Sequence, residues 1–184
     1  HSNNVKLHNF IAKSPYEGEN IIILGAHFDN RLKADKDPIV ENRDKPVPGI
    51  NDGGSGVAIL LELARVIEIP QSIEIWIVFF DAEDQGGITG WSGGISGWCI
   101  GSSYFVNTLS SSELHKIKFT IILDIVGGKD LILKKEKSSN TLINSMIWRK
   151  ADELGFSDVF IDEDGLTVLD DHTPFLQSGI PSVD

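Results

Sequence analysis

Acidic residues directly follow one of the most apolar stretches of this chain. Residues 73–80 are a nearly unbroken run of β-branched and aromatic side chains, typical of a strand buried on both faces of a parallel sheet. The run ends in Asp81-Ala-Glu83-Asp84-Gln-Gly-Gly. If the extended geometry continues, Glu83 and Asp84 point to opposite sides, so one carboxylate could hold a cation while the other handles a proton. Taken alone, the stretch is better explained by a solvated acidic turn.

The same arrangement, an apolar run that ends in residues able to bind a metal, recurs along the chain. Residues 21–26 lead to His27 and Asp29, and residues 119–123 lead to Asp124. A histidine after a strand is more often structural than a ligand. However, a metal-bound histidine commonly donates its other ring nitrogen to a carboxylate or carbonyl, which favours a metal role for His27 beside Asp29. A buried Asp124 must be hydrogen-bonded, paired or metal-bound to be tolerated.

A glycine-rich turn over residues 48–56 precedes an apolar helix predicted for residues 57–68. The glycines fit neither a dinucleotide-binding nor a phosphate-binding loop, and Ser55 does not lie in a Gly-x-Ser-x-Gly elbow. Asp52 in this turn is explained by capping of the helix. The alternative is that Asp52 faces the same crevice as His27 and Asp84, with the glycines permitting close approach of the backbone.

Two loops are candidates for substrate contacts. Residues 31–47 are polar and lack periodicity, and loops of this length inside a compact domain are often functional. Residues 86–101 are rich in glycine and contain Trp91 and Trp98. Flexibility is one explanation of the second loop. Tryptophans next to an acidic site more often wall a substrate pocket, so we predict that Trp91 and Trp98 contact substrate.

Strands alternate with helices along the chain, which predicts an α/β fold with a mostly parallel mixed sheet flanked by helices. Residues 5–12 indicate a half-exposed strand, residues 138–154 an amphipathic helix that ends at Gly155, and residues 159–161 a short strand. Ligands of such sheets collect beyond the carboxyl ends of the strands. The set of histidine and carboxylate donors without sulfur suits a catalytic zinc site. The candidate ligands are His27, Asp52, Asp84, Asp124 and His172.

Composition limits the classes of partner. The chain of 184 residues is predicted to form a single domain over residues 1–184. Its net charge of −11 argues against nucleic acid or an anionic membrane as the main partner, and no apolar run is long enough for a membrane span. Cys99 is the only cysteine, so neither an internal disulfide nor a cysteine zinc site is expected. Residues 180–184 look like the beginning of a strand, from which we expect the natural protein to continue with a missing C-terminal part.

Several motifs together resemble the zinc aminopeptidase family of metallopeptidases, with its zinc-exopeptidase fold, and its glutaminyl cyclase branch. They are Gly25-Ala-His27-Phe-Asp29, Pro48-Gly-Ile-Asn-Asp52-Gly-Gly-Ser-Gly, Phe80-Asp-Ala-Glu83-Asp84, Leu123-Asp124-Ile-Val-Gly and Asp171-His172-Thr-Pro-Phe. In the two-zinc aminopeptidases, the resemblance implies a bridging Asp52, one zinc on His27 and Asp124, and the other on Asp84 and His172. Glu83 would be the general base, and Asp29 and Asp171 would orient the ligands. Many members have two consecutive glutamates where this chain has Glu83-Asp84.

Further details resemble the cyclases more closely. They are Arg31…Ala34-Asp35…Asp37-Pro38, Trp98-Cys99-Ile-Gly101-Ser102…Tyr104, Asp124-Ile-Val-Gly-Gly-Lys-Asp130 and the doubled Asp170-Asp171. The cyclase resemblance implies a single zinc on Asp52, Asp84 and His172. It also places Asp124 in a catalytic proton-relay network instead of at a second metal.

The leading hypothesis is therefore zinc-dependent cyclisation of the N-terminal glutamine of peptides or proteins to pyroglutamate, with Glu83 moving the proton. The alternative is a two-zinc aminopeptidase, which the same residues permit. A zinc-stabilised binding domain without catalysis is a third hypothesis, and the retention of Glu83 counts against it. Cyclase relatives are often exported, so we expect an extracytoplasmic location, periplasmic or secreted.

Overall fold

The computed structural model describes residues 5–184 and contains a central five-stranded sheet. Its strands, in spatial order, are Phe10–Lys13 (β1), Ile73–Phe80 (β3), Asn20–His27 (β2), Ile117–Ile122 (β4) and Ser182–Val183 (β7). Only β1 runs antiparallel to its neighbour. A separate pair of parallel strands is formed by Leu133–Lys135 (β5) and Phe160–Asp164 (β6). The predicted α/β fold with a mostly parallel sheet is confirmed.

Helices cover both faces of the sheet. They are Gly54–Val66 (α1), Ile100–Thr108 (α2), Ser111–Lys116 (α3), Thr141–Glu153 (α4) and His172–Gln177 (α5), with a short 3₁₀ helix at Val40–Asn42. On one face, Leu60 of α1 packs on apolar residues of β2 and β3. On the other face, Phe105 of α2 and Phe175 of α5 pack on Phe80, with ring centroids 5.8 and 6.0 Å from that of Phe80. Across residues 5–184, no helix is both long and apolar enough to cross a membrane.

The order of the strands determines where a site can form. β2 lies at the centre and pairs in parallel with both β3 and β4, so the carboxyl ends of all three strands meet at one edge of the sheet. The chain goes from β2 to β3 on one side and from β4 to β7 on the other. In open α/β sheets, the crevice between strands whose connections diverge in this way is the usual ligand site. His27 ends β2, and Asp124 follows β4 at this crevice.

The boundaries of several elements differ from those predicted. The strand predicted for residues 5–12 is limited to β1, whose four residues are exposed because this edge strand lies outside the helical layers. α1 begins at Gly54 instead of residue 57, within the glycine-rich turn. α4 begins at Thr141, because the side chain of Asn140 accepts hydrogen bonds from the N–H groups of Leu142 and Ile143 and caps the helix.

Candidate active site

His27 lies at the centre of the crevice and is almost completely buried, with 1% of its surface exposed. Its Nδ1 lies 3.1 Å from the carbonyl oxygen of Asp29, which can only accept a hydrogen bond. Nε2 is therefore the ring atom available to the carboxylates, and it lies 3.1 Å from Oδ1 of Asp52 and 3.2 Å from Oδ1 of Asp124. Among the described residues, they are the only group of three or more metal-capable side chains whose donor atoms all lie within 4.8 Å of one another. We call them the His27 cluster.

The backbone around the His27 cluster fixes the carboxylate of Asp124. Oδ1 of Asp124 accepts hydrogen bonds from the N–H groups of Gly53 and Ile125, at 3.2 and 2.8 Å. Gly53 has a φ of +74°, and a Cβ there would lie 2.8 Å from Cε1 of His27, so no other residue fits without displacing the ring. Ile125 has a φ of +48°, a strained conformation for a β-branched residue. The structure therefore holds Asp124 against His27 with backbone geometry that is costly to maintain.

Asp29 connects the end of β2 to the acidic turn after β3. Its Oδ1 accepts a hydrogen bond from the N–H of Glu83 at 2.9 Å, and its Oδ2 accepts one from Nε2 of Gln85 at 2.8 Å. The same carboxylate also lies 3.5 Å from Nδ1 of His27. Its principal hydrogen bonds thus order the backbone that presents Glu83 and Asp84, while its carbonyl oxygen orients His27.

Glu83 is buried in this turn, with 6% of its surface exposed. Its side chain accepts a hydrogen bond from Sγ of Cys99 at 3.4 Å, and its carbonyl oxygen accepts one from the N–H of Cys99 at 2.9 Å. Ala82, which precedes Glu83, and Cys99, which is hydrogen-bonded to it, have positive φ angles of 53° and 51°. These angles mark strained backbone at both contacts of Glu83. Burial, reinforced by the negative charge of Asp171, raises the pKa of Glu83 to about 8. Glu83 therefore gains and loses a proton close to neutral pH.

Asp84 faces different neighbours from Glu83. Its Oδ1 lies 3.3 Å from Nη1 of Arg31, and the negative charge of Asp52 acts on its carboxylate from across the crevice. Burial, with the charge of Asp52 added, raises the pKa of Asp84 to about 6, although the charge of Arg31 opposes this rise. Glu83 and Asp84 are thus adjacent carboxylates in separate environments, one beside a thiol and the other beside a guanidinium.

His172 begins α5 and is completely buried, but it lies outside the His27 cluster. Its Nε2 lies 3.1 Å from Oγ of Ser138 and 3.4 Å from Oε2 of Glu136. Its Nδ1 has no hydrogen-bond partner among the described residues. Burial lowers the pKa of His172, so the ring is neutral and Nδ1 or Nε2 is available as a lone-pair donor. The preceding residue, Asp171, accepts a hydrogen bond from Ser102, and its second carboxylate oxygen also has no partner.

A cavity of about 700 Å³ opens at the carboxyl ends of the strands. Its lining includes Asp52, Glu83, Asp84 and Asp124, together with Trp98. It also includes apolar residues of β5, β6 and α4, among them Trp148. This volume and this lining, mostly apolar with a few convergent polar groups, are typical of a small-molecule or peptide-end site. Trp91, which we predicted to contact substrate together with Trp98, is not among the lining residues.

The charges around the His27 cluster favour a bound cation. Burial acts to lower the pKa of His27, but the surrounding carboxylates of Asp124, Asp29 and Asp52 outweigh it and raise that pKa. Histidine nitrogen and carboxylate oxygen, with no thiolate, are the donors of catalytic zinc sites. The donor set of the His27 cluster therefore fits a zinc ion. His172 lies outside this cluster and does not line the cavity, although its Nδ1 is buried and has no partner among the described residues.

A family model described as peptidase family M28 matches residues 9–184. The chain belongs to this family. Among curated proteins, the chain is similar to aminopeptidase YwaD of Bacillus subtilis. The two are 32% identical over 146 residues, which cover 73% of this chain and 28% of that protein. The resemblance inferred from the motifs is therefore confirmed at the level of the family.

Two solved structures resemble nearly the whole of this chain. A glutaminyl cyclase of Bacteroides thetaiotaomicron, solved bound to N-acetylhistamine, has a TM-score of 0.87 and 36% identity, covering 98% of this chain and 64% of that one. A Zn-dependent exopeptidase from Parabacteroides distasonis has a TM-score of 0.86 and 34% identity, covering 97% of this chain and 63% of that one. The chain thus spans less than two thirds of these relatives, and together they imply zinc as the metal.

Sequence reasoning did not assign roles to three residues around the site. Arg31 contacts Asp84, while Glu136 and Ser138 contact His172. Arg31 belongs to a motif that resembles the cyclases. The motif indicated that this loop is functional, but it did not indicate which residue Arg31 contacts. Glu136 and Ser138 lie in a polar stretch without periodicity, and nothing in that stretch indicates which distant residue they meet.

Proposed function

We propose that the protein is a zinc-dependent glutaminyl-peptide cyclotransferase, which converts the N-terminal glutamine of peptides to pyroglutamate and releases ammonia. The observation that carries this proposal is the environment of Glu83. Its carboxylate is buried at the cavity wall, and its pKa is raised to about 8. A group that both takes up and returns a proton near neutral pH is what this reaction requires, since a proton leaves one nitrogen and joins another.

In the proposed reaction, the α-amine of the substrate attacks Cδ of its own glutamine side chain. The new C–N bond closes the ring, and the bond from Cδ to the amide nitrogen breaks. Glu83 accepts the proton that the attacking amine loses and returns it to the departing nitrogen, which leaves as ammonia. A bound zinc would supply Lewis-acid polarisation of the amide carbonyl. Trp98 would pack on the substrate and exclude water, which would otherwise hydrolyse the amide.

We assign the single zinc of this proposal to Asp52, Asp84 and His172. Asp52 and Asp84 line the same cavity, whereas His172 does not line it and enters the proposal because its ring is neutral and has an unpartnered nitrogen. In this proposal the pair of His27 and Asp124, whose side chains lie 3.2 Å apart, forms the proton-relay network beside Glu83. Asp52 also lies 3.1 Å from Nε2 of His27, so the assigned zinc ligand touches this network. Asp29 and Asp171 orient their neighbours.

Mass spectrometry of a peptide that begins with glutamine tests the proposal. The peptide is incubated with zinc-loaded protein, with EDTA-treated protein, and with buffer alone, since glutamine also cyclises slowly without a catalyst. Loss of one ammonia from an otherwise intact peptide, in the zinc sample alone, is the expected result. Glu83→Gln should retain zinc and lose about 10²- to 10⁴-fold in rate. Wild-type turnover by a folded, zinc-loaded Glu83→Gln protein would remove Glu83 from the mechanism.

A second candidate function is that of a two-zinc aminopeptidase. The observation that favours it is the His27 cluster, whose three donor atoms already lie within 4.8 Å of one another and could hold a second ion. In that reaction a water molecule is the nucleophile and Glu83 is its general base. The same peptide experiment separates the two functions, since an aminopeptidase yields a peptide shortened by one residue. Peptide or protein N-termini are the proposed substrates in both cases, and an extracytoplasmic location stays a prediction.

A further inference from the structure

Arg31 is buried to an unusual degree for an arginine, with 10% of its side chain exposed. It lies at the start of the loop after β2, four residues beyond His27. The guanidinium group makes hydrogen bonds in two directions. On the outer side, Nε and Nη2 donate to the two carboxylate oxygens of Asp35, at 2.7 and 2.9 Å. This paired geometry fixes the plane of the guanidinium group.

On the inner side, the same group binds the acidic turn that follows β3. Nη1 donates to the carbonyl oxygen of Asp84 at 2.8 Å and lies 3.3 Å from its Oδ1, while Nη2 donates to the carbonyl oxygen of Gly86 at 3.0 Å. Arg31 therefore holds both the backbone and the carboxylate of Asp84. A lysine could not reproduce these contacts, because its ammonium is a single point and not a planar fork.

Arg31 also contacts the wall of the cavity. Its guanidinium carbon lies 5.0 Å from the ring centre of Trp98, within the range of a cation–π contact. A second constraint on this indole comes from Gly86, where a Cβ would overlap the indole ring of Trp98. The indole is thus held by both Arg31 and the backbone of the turn, and the Arg31 side chain touches both the carboxylate of Asp84 and this aromatic wall of the site.

We propose that Arg31 is a positioning residue that sets the place of Asp84 and of Trp98 at once. This inference rests on the proposed function only in that Asp84 is taken as a zinc ligand and Trp98 as a substrate contact. Partners that orient metal ligands typically contribute 10- to 100-fold to metal affinity or activity. Asp35 supports Arg31 from outside the cavity, so its loss should act in the same direction with a smaller effect.

The test compares Arg31→Met and Arg31→Lys with Arg65→Met as the matched control. Arg65 also makes a paired contact with a carboxylate, that of Glu62, but it lies on the exposed surface of α1. Zinc affinity is measured by competition with a chromogenic chelator. The fluorescence emission of Trp98 is obtained by subtracting the spectrum of the Trp98→Phe counterpart from that of each protein. We expect Arg31→Met to lose about 10- to 100-fold in zinc affinity and to shift the Trp98 emission. Arg31→Lys should recover only part of both, and Arg65→Met should match the wild type.

A purely structural role for Arg31 predicts a different result. In that case Arg31→Met and Arg31→Lys unfold at a lower temperature but keep zinc affinity and Trp98 emission within twofold of the wild type, and the inference is overturned. If Arg31→Met does not fold, Arg31→Lys and Asp35→Asn decide by the same two readouts. Neither readout requires turnover. A wild-type protein that binds zinc but neither cyclises nor shortens a peptide would refute the proposed function while leaving the role of Arg31 to these measurements.

Discussion

His27 and His172 are the two histidines that the sequence proposes as metal ligands, and the structure places them in opposite situations. Both are buried. Both ring nitrogens of His27 have partners, a carbonyl oxygen on one side and two carboxylates on the other. His172 has partners at Nε2 alone, and its Nδ1 has none among the described residues.

The electrostatic surroundings of the two rings differ in the same way. Burial lowers the pKa of both, but three carboxylates overcome this effect at His27 and raise its pKa, whereas Glu136 alone does not do so at His172. His27 is thus equipped to carry a proton and His172 to offer a lone pair. The comparison sets two criteria for a metal ligand against each other. The donor atoms that lie close together belong to the His27 cluster, whereas the buried nitrogen without a partner belongs to His172, which lies outside that cluster. The cyclase proposal assigns the zinc to His172, and the aminopeptidase alternative uses both histidines.

Removal of the metal should have the largest effect. Zinc binds the folded chain more tightly than the unfolded one, so at a free zinc concentration 1,000 times the dissociation constant it should stabilise the protein by about 4 kcal/mol. Chemical denaturation with zinc and with EDTA measures this difference. The zinc-dependent part should fall to about 1.4 kcal/mol or less in His172→Ala, if affinity falls about 100-fold or more, and persist in His27→Ala. Equal stability with and without zinc would contradict the assignment of any of these residues to a structural or catalytic ion.

Zinc affinity sharpens the comparison between the two histidines. Since loss of an orienting partner alone costs about 10- to 100-fold, loss of a ligand in His172→Ala should cost more than about 100-fold. His27→Ala should retain most of the zinc affinity and lose turnover. Calorimetric titration with zinc measures both, with His115→Ala as the control, because His115 is an exposed histidine in α3. A larger loss in His27→Ala would reverse the comparison and favour the two-zinc aminopeptidase.

Glu136 is expected to matter next, because it holds the surroundings of His172. Its carboxylate accepts hydrogen bonds from the N–H groups of Ser139 and Val168, at 2.6 and 3.0 Å. Glu136→Gln would turn an amide N–H₂ toward one of these donors, which should reduce the free energy of unfolding by about 1–3 kcal/mol. Glu163→Gln, which removes an exposed carboxylate bound to Lys134, should change it by less than about 0.5 kcal/mol. Equal effects in urea denaturation would show that Glu136 has no special role.

The pH dependence of the zinc-free protein should show the smallest effect. Burial first, and neighbouring negative charges in part, raise the pKa values of Glu83, Asp171 and Asp84 to about 8, 7 and 6. The folded state therefore binds protons that the unfolded state releases, so stability should be highest near pH 4 and decrease toward pH 8. Glu83→Gln should flatten this decrease by an amount on the order of 1 kcal/mol. A steeper decrease in the variant would give the wrong sign and refute the raised pKa of Glu83.

Much of the fold could be predicted because its signals are local. Residues 73–80 form β3 with the bounds predicted, since a continuous apolar run leaves little choice of register or partner face. The carboxyl ends of β2, β3 and β4 meet because parallel strands must place these ends at one edge. That rule alone brings His27 and Asp124 together.

The contacts that distinguish the two histidines could not be predicted, because they join distant and irregular segments. Arg31 reaches Asp84 across 53 positions, and Ser138 reaches His172 across 34. Neither Arg31 nor Ser138 lies in a periodic element, so no hydrophobic pattern fixes the direction of its side chain. The carboxylate of Asp29 was expected to serve His27, yet its principal hydrogen bonds are to the turn that carries Glu83.

The central position of β2 has a consequence for how the chain folds. Its parallel neighbours β3 and β4 come from sequence positions about 50 and 95 residues later, and β7 is added only at residues 182–183. Contacts between residues so far apart form slowly, because closing the long loop between them costs conformational entropy before the contacts themselves stabilise the chain. The crevice therefore cannot exist in an early folding intermediate. The rate at which a refolding chain acquires its zinc should report the slowest step of sheet assembly.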